Sequence, residues 1–441
     1  MKEIVESYFA HRSMVNHQLA SYNDCIPSGD GKGSRMEKIV RGIRIGSDDP
    51  LEDVPGGPDA GGMIKLDVLD KEIYIRMKGI RLGAPTVREA NGAEHPATPL
   101  ECRLRKLTYF SPIYLDFKIY RDDLPPSTSE SDIGFIEEEG VHIGNLPIMV
   151  RSGRCNLHPD HVAGTQEKSL KLSPTTSPED ALRHKELLRK AGEDPLDPGG
   201  YFIINGTERV LISMEDLAPN RVTVEKNKKY AHETEVAKIF SQKDGVRKPI
   251  NVEKRRDGML MVKIPSAGTT AIPVVLLMRA LGMENDRDIF SAIAGPVEAM
   301  KYTVANLNDV KDNPEYGVDN TEEAMAWLEK KFAAGQQKEY RESRIQNLLD
   351  KELLPHLGSE DDVRTKKAIF LGRIVRQVLE MAITNRDPND KDHYANKRVR
   401  LAGDLMEDLF RVGVQGLARD LKYQLESCLL YTSDAADEHR R

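Results

Sequence analysis

The chain has 441 residues, of which 31% are charged and 39% hydrophobic, with a single Trp and 6% aromatics. That length supports roughly two to four domains with sizeable cores, and the composition fits a soluble globular protein rather than an aromatic-rich sandwich. The formal net charge of −7 argues against a free-standing nucleic-acid binder, although it leaves room for a local basic surface.

No apolar run approaches the roughly 20 residues that a membrane helix needs, and Met1–Phe9 lacks the apolar core of a signal peptide. A cytoplasmic location with no membrane partner is the expectation. The four cysteines, Cys25, Cys102, Cys155 and Cys428, lie far apart without a Cys-x-x-Cys pair. Neither a disulfide framework nor a cysteine zinc site is expected.

In chain order, residues 1–45 read as helical and then irregular, and 47–62 as a loop dense in Asp, Pro and Gly. Strands are expected over 63–68, 72–77, 107–120 and 141–150, with a loop at Pro125-Pro126. A helix is expected over 177–191, with Ser177 as N-cap, Pro178 in the first turn and Gly192 closing it. Next, the apolar runs 201–204 and 210–212 flank Asn205-Gly206. Asn-Gly between apolar runs signals a tight hairpin, because both residues accept positive φ. Residues 220–265 read as strands with turns at Asp244-Gly245 and Asp257-Gly258. Helices are expected over 274–281, 286–293, 322–334, 339–349, 365–383 and 401–425. The fold class is therefore α+β and multidomain: a mixed N-terminal module, a mixed α/β central module and a helical C-terminal end.

Few patterns carry catalytic chemistry. Cys155, His158 and His161 have spacing that could seat a metal, but a fourth ligand is missing and Pro159 interrupts the run. Asp387, Asp390 and Asp392 lack the Gly and terminal Glu of a calcium loop and read better as a turn. No phosphate-binding glycine loop or nucleophile elbow is present. The basic clusters are more informative. Residues 219–256 hold 11 Lys or Arg against five Asp or Glu. Lys243, Arg247 and Lys248 fall near one turn, and Lys254, Arg255 and Arg256 near the next. Lys397, Arg398 and Arg400 precede the last helix. Such clusters can neutralise phosphates without reading sequence; the alternative is a solvated surface.

Five segments, in order, resemble the second-largest (beta-type) subunit of multisubunit DNA-directed RNA polymerases, most closely the archaeal type. Leu107–Ile113 resembles the family's LTYSAPI strand. Ile143–Ser152 resembles IGxLPIMVRS. Gly199–Val210 resembles GGYFIINGxERV almost letter for letter. Arg279–Gly282 with Asp286–Ile289 resembles RALG followed by DRDI. Asp390–Gly403 resembles DDRDHxxNKRxxLAG.

The resemblance implies a protrusion domain over 1–213, a lobe over 214–384 inserted into it, and a return to the protrusion over 385–427. It implies a role in joining ribonucleoside triphosphates along a DNA template. This chain would line the nucleic-acid cleft and be inactive alone. The partners implied are the largest subunit, the remaining part of the second-largest subunit, the DNA template, the nascent RNA, and transcription initiation and elongation factors. No catalytic residue and no metal ligand is expected here, because the family's Mg²⁺ is held in other parts of the assembly. Arg209, Lys397 and Arg398, with Arg221 and Arg255 after them, are the expected nucleic-acid contacts, to phosphate rather than to bases. The competing reading is a non-catalytic module that shares the protrusion and lobe fold and docks transcription factors.

One stretch stands apart. Back-translated with one choice of codons, Cys428–Glu438 resembles a transposase-end adapter used in sequencing libraries. Residues 428–441 are therefore expected to be a non-native tail, with the natural sequence diverging near Ser427.

Overall fold

The computed structural model describes residues 14–27, 33–46, 61–68, 71–121, 134–158, 161, 178–229, 232–243, 245–265, 268, 270–335, 337–384 and 386–438. The expected loops at 47–60 and 125–131, the Ser177 cap and Asp244 lie outside these residues. The chain divides into two compact units. One comprises Met1–Met214 with Val399–Arg441, and the other comprises Glu215–Arg398.

In the first unit, five strands run in the order Arg44–Ile45, Gly62–Val68, Lys71–Leu82, Phe110–Arg121 and Gly134–Pro147. The first pair is parallel and the others are antiparallel. Strand alternation sends Ile64, Leu66, Ile75, Met77, Ile113 and Leu115 into one core. Three helices supply the facing layer: Asn16–Cys25, Arg35–Gly42 and Ala402–Glu438. They bring Tyr22, Met36, Val40, Val414 and Ala418 into the same core. The helix Arg35–Gly42 starts at a capping box, in which Glu37 N–H donates to Ser34 Oγ at 3.2 Å and Ser34 N–H donates to Glu37 Oε2 at 3.0 Å. Two strands are longer than their apolar alternation predicted, because Lys71–Leu82 and Gly134–Pro147 continue through Lys- and Glu-rich ends. Cross-strand charge pairs such as Lys78 with Glu137, at 2.5 Å, sit on those ends.

In the second unit, the strands Val222–Lys229, His232–Lys243, Val246–Lys254, Leu260–Lys263 and Ile272–Pro273 form an antiparallel meander. Its core joins Ile239, Ile250, Val252 and Val262 to the helices that follow. Every residue of Val274–Ala280 is buried, so this helix is the centre of the unit. The helices Asp286–Ile293, Thr321–Phe332, Lys338–Asn347 and Arg364–Thr384 match the expected set closely. The helix Val297–Asp312 was not expected. Its β-branched residues and the preceding Gly295-Pro296 obscure the period, yet Ala299, Thr303, Asn306, Leu307 and Val310 are buried at helical spacing. Two short strands, Met214–Leu217 and Lys397–Arg400, pair where the chain leaves the first unit and returns to it.

Candidate nucleic-acid interface

The hairpin forms around Asn205-Gly206, with φ of +50° and +75° as a two-residue type I′ turn requires. Phe202 pairs with Arg209, Ile203 with Glu208 and Ile204 with Thr207. The second strand is thus Thr207–Arg209, and the apolar run expected to form it lies beyond the ladder, with Val210 67% and Ile212 80% exposed. Before Phe202 the chain is bonded to an earlier segment instead, with Gly200 N–H donating to Val150 O at 3.0 Å and the Tyr201 carbonyl accepting from Val150 N–H at 2.9 Å. Arg209 is exposed at the end of this strand, and its side chain makes no hydrogen bond or ion pair among the described residues.

The second unit brings three of the expected residues together. A short turn, Tyr394–Asn396, follows an Asp-rich segment in which Asp392 N–H donates to Asp390 Oδ1 at 2.8 Å and Asn396 Nδ2 to Asp390 O at 2.5 Å. The aspartates therefore build a turn. His393 Nδ1 caps it by accepting from Ala395 N–H at 3.1 Å. The Ala395 carbonyl then accepts from two guanidiniums: Arg221 Nη1 at 3.0 Å and Arg398 Nη1 at 3.3 Å. Arg398 also donates to the Lys397 carbonyl at 2.7 Å. Both arginines are exposed, and among the described residues their partners are backbone oxygens, with no carboxylate paired to either charge. Lys397 differs. It lies 3.4 Å from Asp392 and 3.5 Å from Glu215, and these carboxylates hold its ammonium charged above the ordinary lysine range.

Arg255 sits elsewhere in this unit. Val222 pairs with Ile239, whereas Val236 pairs with Glu253, so Arg221 and Arg255 fall at opposite ends of the meander. Arg255 is exposed in the turn before Leu260, where its N–H donates to Met259 O at 2.8 Å.

Part of the basic excess over 219–256 is matched by carboxylates, two of them outside that window. Arg247 pairs with Asp216 and lies over the Phe240 ring at 4.2 Å. Lys248 is 3.3 Å from Glu352, and Lys254 is 3.3 Å from Glu235. These three side chains hold the sheet and its neighbours together, so their charges are shared with carboxylates.

Cys155, His158 and His161 do not converge on a common point. Cys155 is buried beside Tyr109, whose hydroxyl donates to Sγ at 3.4 Å, and burial pushes its thiol pKa up. His161 Nε2 instead lies 3.1 Å from the Gly153 carbonyl. Among the described residues one trio could offer a metal three ligand atoms: Glu89, His95 and Glu101. Arg105 bonds both carboxylates at 2.6 Å and His95 bonds Glu101 at 3.0 Å, so the trio is an ion-pair network already satisfied by its own cation.

Tyr394 was missed in the sequence. It is 70% exposed, and its hydroxyl donates to Glu215 Oε1 at 3.0 Å. The only sequence signal was its place three residues before Lys397-Arg398.

Comparison with known proteins gives a consistent result across both units. A family model described as "RNA polymerase beta subunit" matches residues 13–170, and one described as "RNA polymerase Rpb2, domain 2" matches residues 218–400. The chain is 36% identical over 433 residues to DNA-directed RNA polymerase subunit Rpo2N of Halobacterium salinarum, covering 96% of this chain and 72% of that protein. It is 37% identical over 427 residues to the Rpo2N of Methanocaldococcus jannaschii, covering 97% and 74%. Against subunit Rpo2 of Saccharolobus shibatae the identity is 36% over 424 residues, covering 96% of this chain and 32% of the longer protein. Among the described residues, no helix is long and apolar enough to cross a membrane.

Proposed function

The chain belongs to the family of second-largest subunits of DNA-directed RNA polymerase, and on that premise we propose that it lines the path of nucleic acid through the assembled enzyme. It corresponds to the N-terminal part of that subunit, and the polymerase activity belongs to the assembly. The first unit takes the place of the protrusion and the second that of the lobe. The largest subunit, the remaining part of the second-largest subunit, DNA template, nascent RNA and transcription factors are the partners of this reading, in the cytoplasm.

The supporting observation is the convergence of Arg221 and Arg398 on one carbonyl, with both charges left to the solvent. A polymerase must hold any sequence, so its guiding contacts should be cationic and blind to bases. Arg209 offers a further exposed cation on the first unit. The Glu89, His95 and Glu101 trio does not fit a catalytic Mg²⁺, because Arg105 occupies its oxygens. We assign that ion to other parts of the assembly.

The test is charge reversal in the intact polymerase. Arg398→Glu should shorten the lifetime of stalled elongation complexes, most at raised salt, and Lys397→Glu should act less because its charge is already shared with Asp392 and Glu215. Wild-type salt sensitivity in the Lys397→Glu, Arg398→Glu double variant overturns the reading.

A further inference from the structure

We propose that Tyr394, together with Arg221 and Arg398, forms a platform for an unpaired nucleic-acid strand, with the Tyr394 ring stacking on a base and the two guanidiniums taking the flanking phosphates. The inference rests on the polymerase reading and adds to it a stacking residue and a preference for single strand over duplex.

Three observations carry it. First, the Tyr394 ring is 70% exposed, so its faces are open to a stacking partner. Its hydroxyl is tied to Glu215 at 3.0 Å, which fixes the direction of the ring without burying its faces. Second, Ala395, the next residue, carries the carbonyl on which Arg221 and Arg398 meet. The same short turn thus fixes the ring and both cations, so little side-chain freedom remains to be lost on binding. Third, each guanidinium has five N–H donors and spends only one or two on backbone oxygens. Among the described residues nothing else takes the remainder, which can turn to phosphate.

An exposed aromatic beside paired cations matches the chemistry of single-strand binding, because every base has a π-face and an unpaired strand exposes it. A duplex hides those faces in its own stack and would meet the cations alone. Glu215 and Asp392 neutralise Lys397, so the platform is narrow, and one or two phosphates is its reach.

The test uses the full chain and fluorescently labelled homopolymeric ribo- and deoxyribo-oligonucleotides, followed by anisotropy across a salt series. Wild type should bind either single strand more tightly than a duplex of the same length. Tyr394→Ala should weaken single-strand binding by roughly five- to a hundredfold and leave duplex binding unchanged, while Tyr394→Phe keeps the ring and most of the affinity. Arg221→Gln and Arg398→Gln should each lower the salt slope by about 0.7. Ribose preference would assign the site to RNA, equal binding to either sugar. Absence of single-strand binding by wild type at low salt, or wild-type affinity in Tyr394→Ala, overturns the platform. The second result, combined with a salt-sensitive Arg398→Glu polymerase, would remove the stacking role and leave the polymerase reading in place.

Discussion

Thr108 and Asn205 hold each other across the base of the hairpin turn. Asn205 N–H donates to Thr108 Oγ1 at 3.0 Å, and that hydroxyl donates to Asn205 Oδ1 at 3.1 Å. Beside them Gly206 N–H donates to Leu107 O at 2.9 Å, and a Cβ on Gly206 would lie 2.7 Å from Lys106 Cα. The turn is thus docked on the preceding segment as well as closed on itself. Thr108→Val should cost about 1 kcal/mol by removing both hydrogen bonds. Gly206→Ala should cost on the order of 2 kcal/mol or more, since it adds a backbone clash to a φ of +75°. Equilibrium urea unfolding of the two variants gives the order, and a Gly206→Ala protein as stable as Thr108→Val would deny the close approach.

This hairpin also shows how far the sequence could be read. Asn-Gly between apolar residues is a local signal with a local cause, and it specified the turn and the strand before it. The end of the second strand was not local: pairing stops at Phe202 and Arg209 and leaves Val210 and Ile212 exposed, while the chain before Phe202 is bonded to Val150 of an earlier segment, a contact no pattern of neighbours reveals. The ion pairs within the basic clusters were hidden for the same reason, because Asp216 and Glu352 reach Arg247 and Lys248 from outside the counted window. Arg221 and Arg398 were identified individually through the family resemblance, but their meeting at Ala395 requires the fold.

Arg279 is fully buried and donates to Val318 O at 2.6 Å, Asp319 Oδ1 at 2.9 Å and Asp286 Oδ1 at 2.6 Å. Lys311 bonds the same two carboxylates at 2.7 and 2.9 Å. The resemblance placed Arg279 in a recognisable motif; the structure gives the motif a mechanical role, tying the central helix to the starts of the next helices. Arg279→Ala should cost on the order of 3 kcal/mol, since it leaves the Val318 carbonyl without its donor and opens a void. Arg279→Lys should recover only part of that, because an ammonium cannot span the three oxygens as a planar fork does. Thermal unfolding of both variants decides; full rescue by Lys would contradict the fork geometry.

Thiol chemistry separates the cysteines. Burial pushes the thiol of Cys25 up to about 12 and that of Cys102 up to about 11, and Cys155 is also raised by burial. Cys428 is exposed. Since the thiolate is the reactive form, native protein at pH 8 should react with a disulfide reagent rapidly at Cys428 and slowly at the other three, while unfolded protein reacts at all four. A chain truncated after Ser427 should lose the rapid phase entirely. A rapid phase surviving that truncation would mean that one of the buried thiols opens to solvent.

Lys367 gives a pH dependence with a definite sign. Its ammonium is buried and donates to the carbonyls of Leu349 at 2.9 Å and Asp350 at 2.6 Å, within the wide helical turn Leu348–Glu352. Desolvation outweighs the attraction of Asp350 and lowers its pKa to about 8. The folded chain therefore releases this proton before the unfolded chain, whose lysine titrates near 10.4. Between these values the unfolded state binds more protons, so stability rises with pH, and below about 8 the cost of the buried charge is fully felt. From pH 7 to pH 10 the gain should be on the order of 2 kcal/mol. Lys367→Met keeps the stem but has no proton to lose, so the wild type should gain on it by that amount across the window, whatever the two differ by at pH 7. Urea midpoints at pH 7 and pH 10 for both proteins measure the change, and parallel behaviour would show that Lys367 keeps an ordinary lysine pKa in the fold.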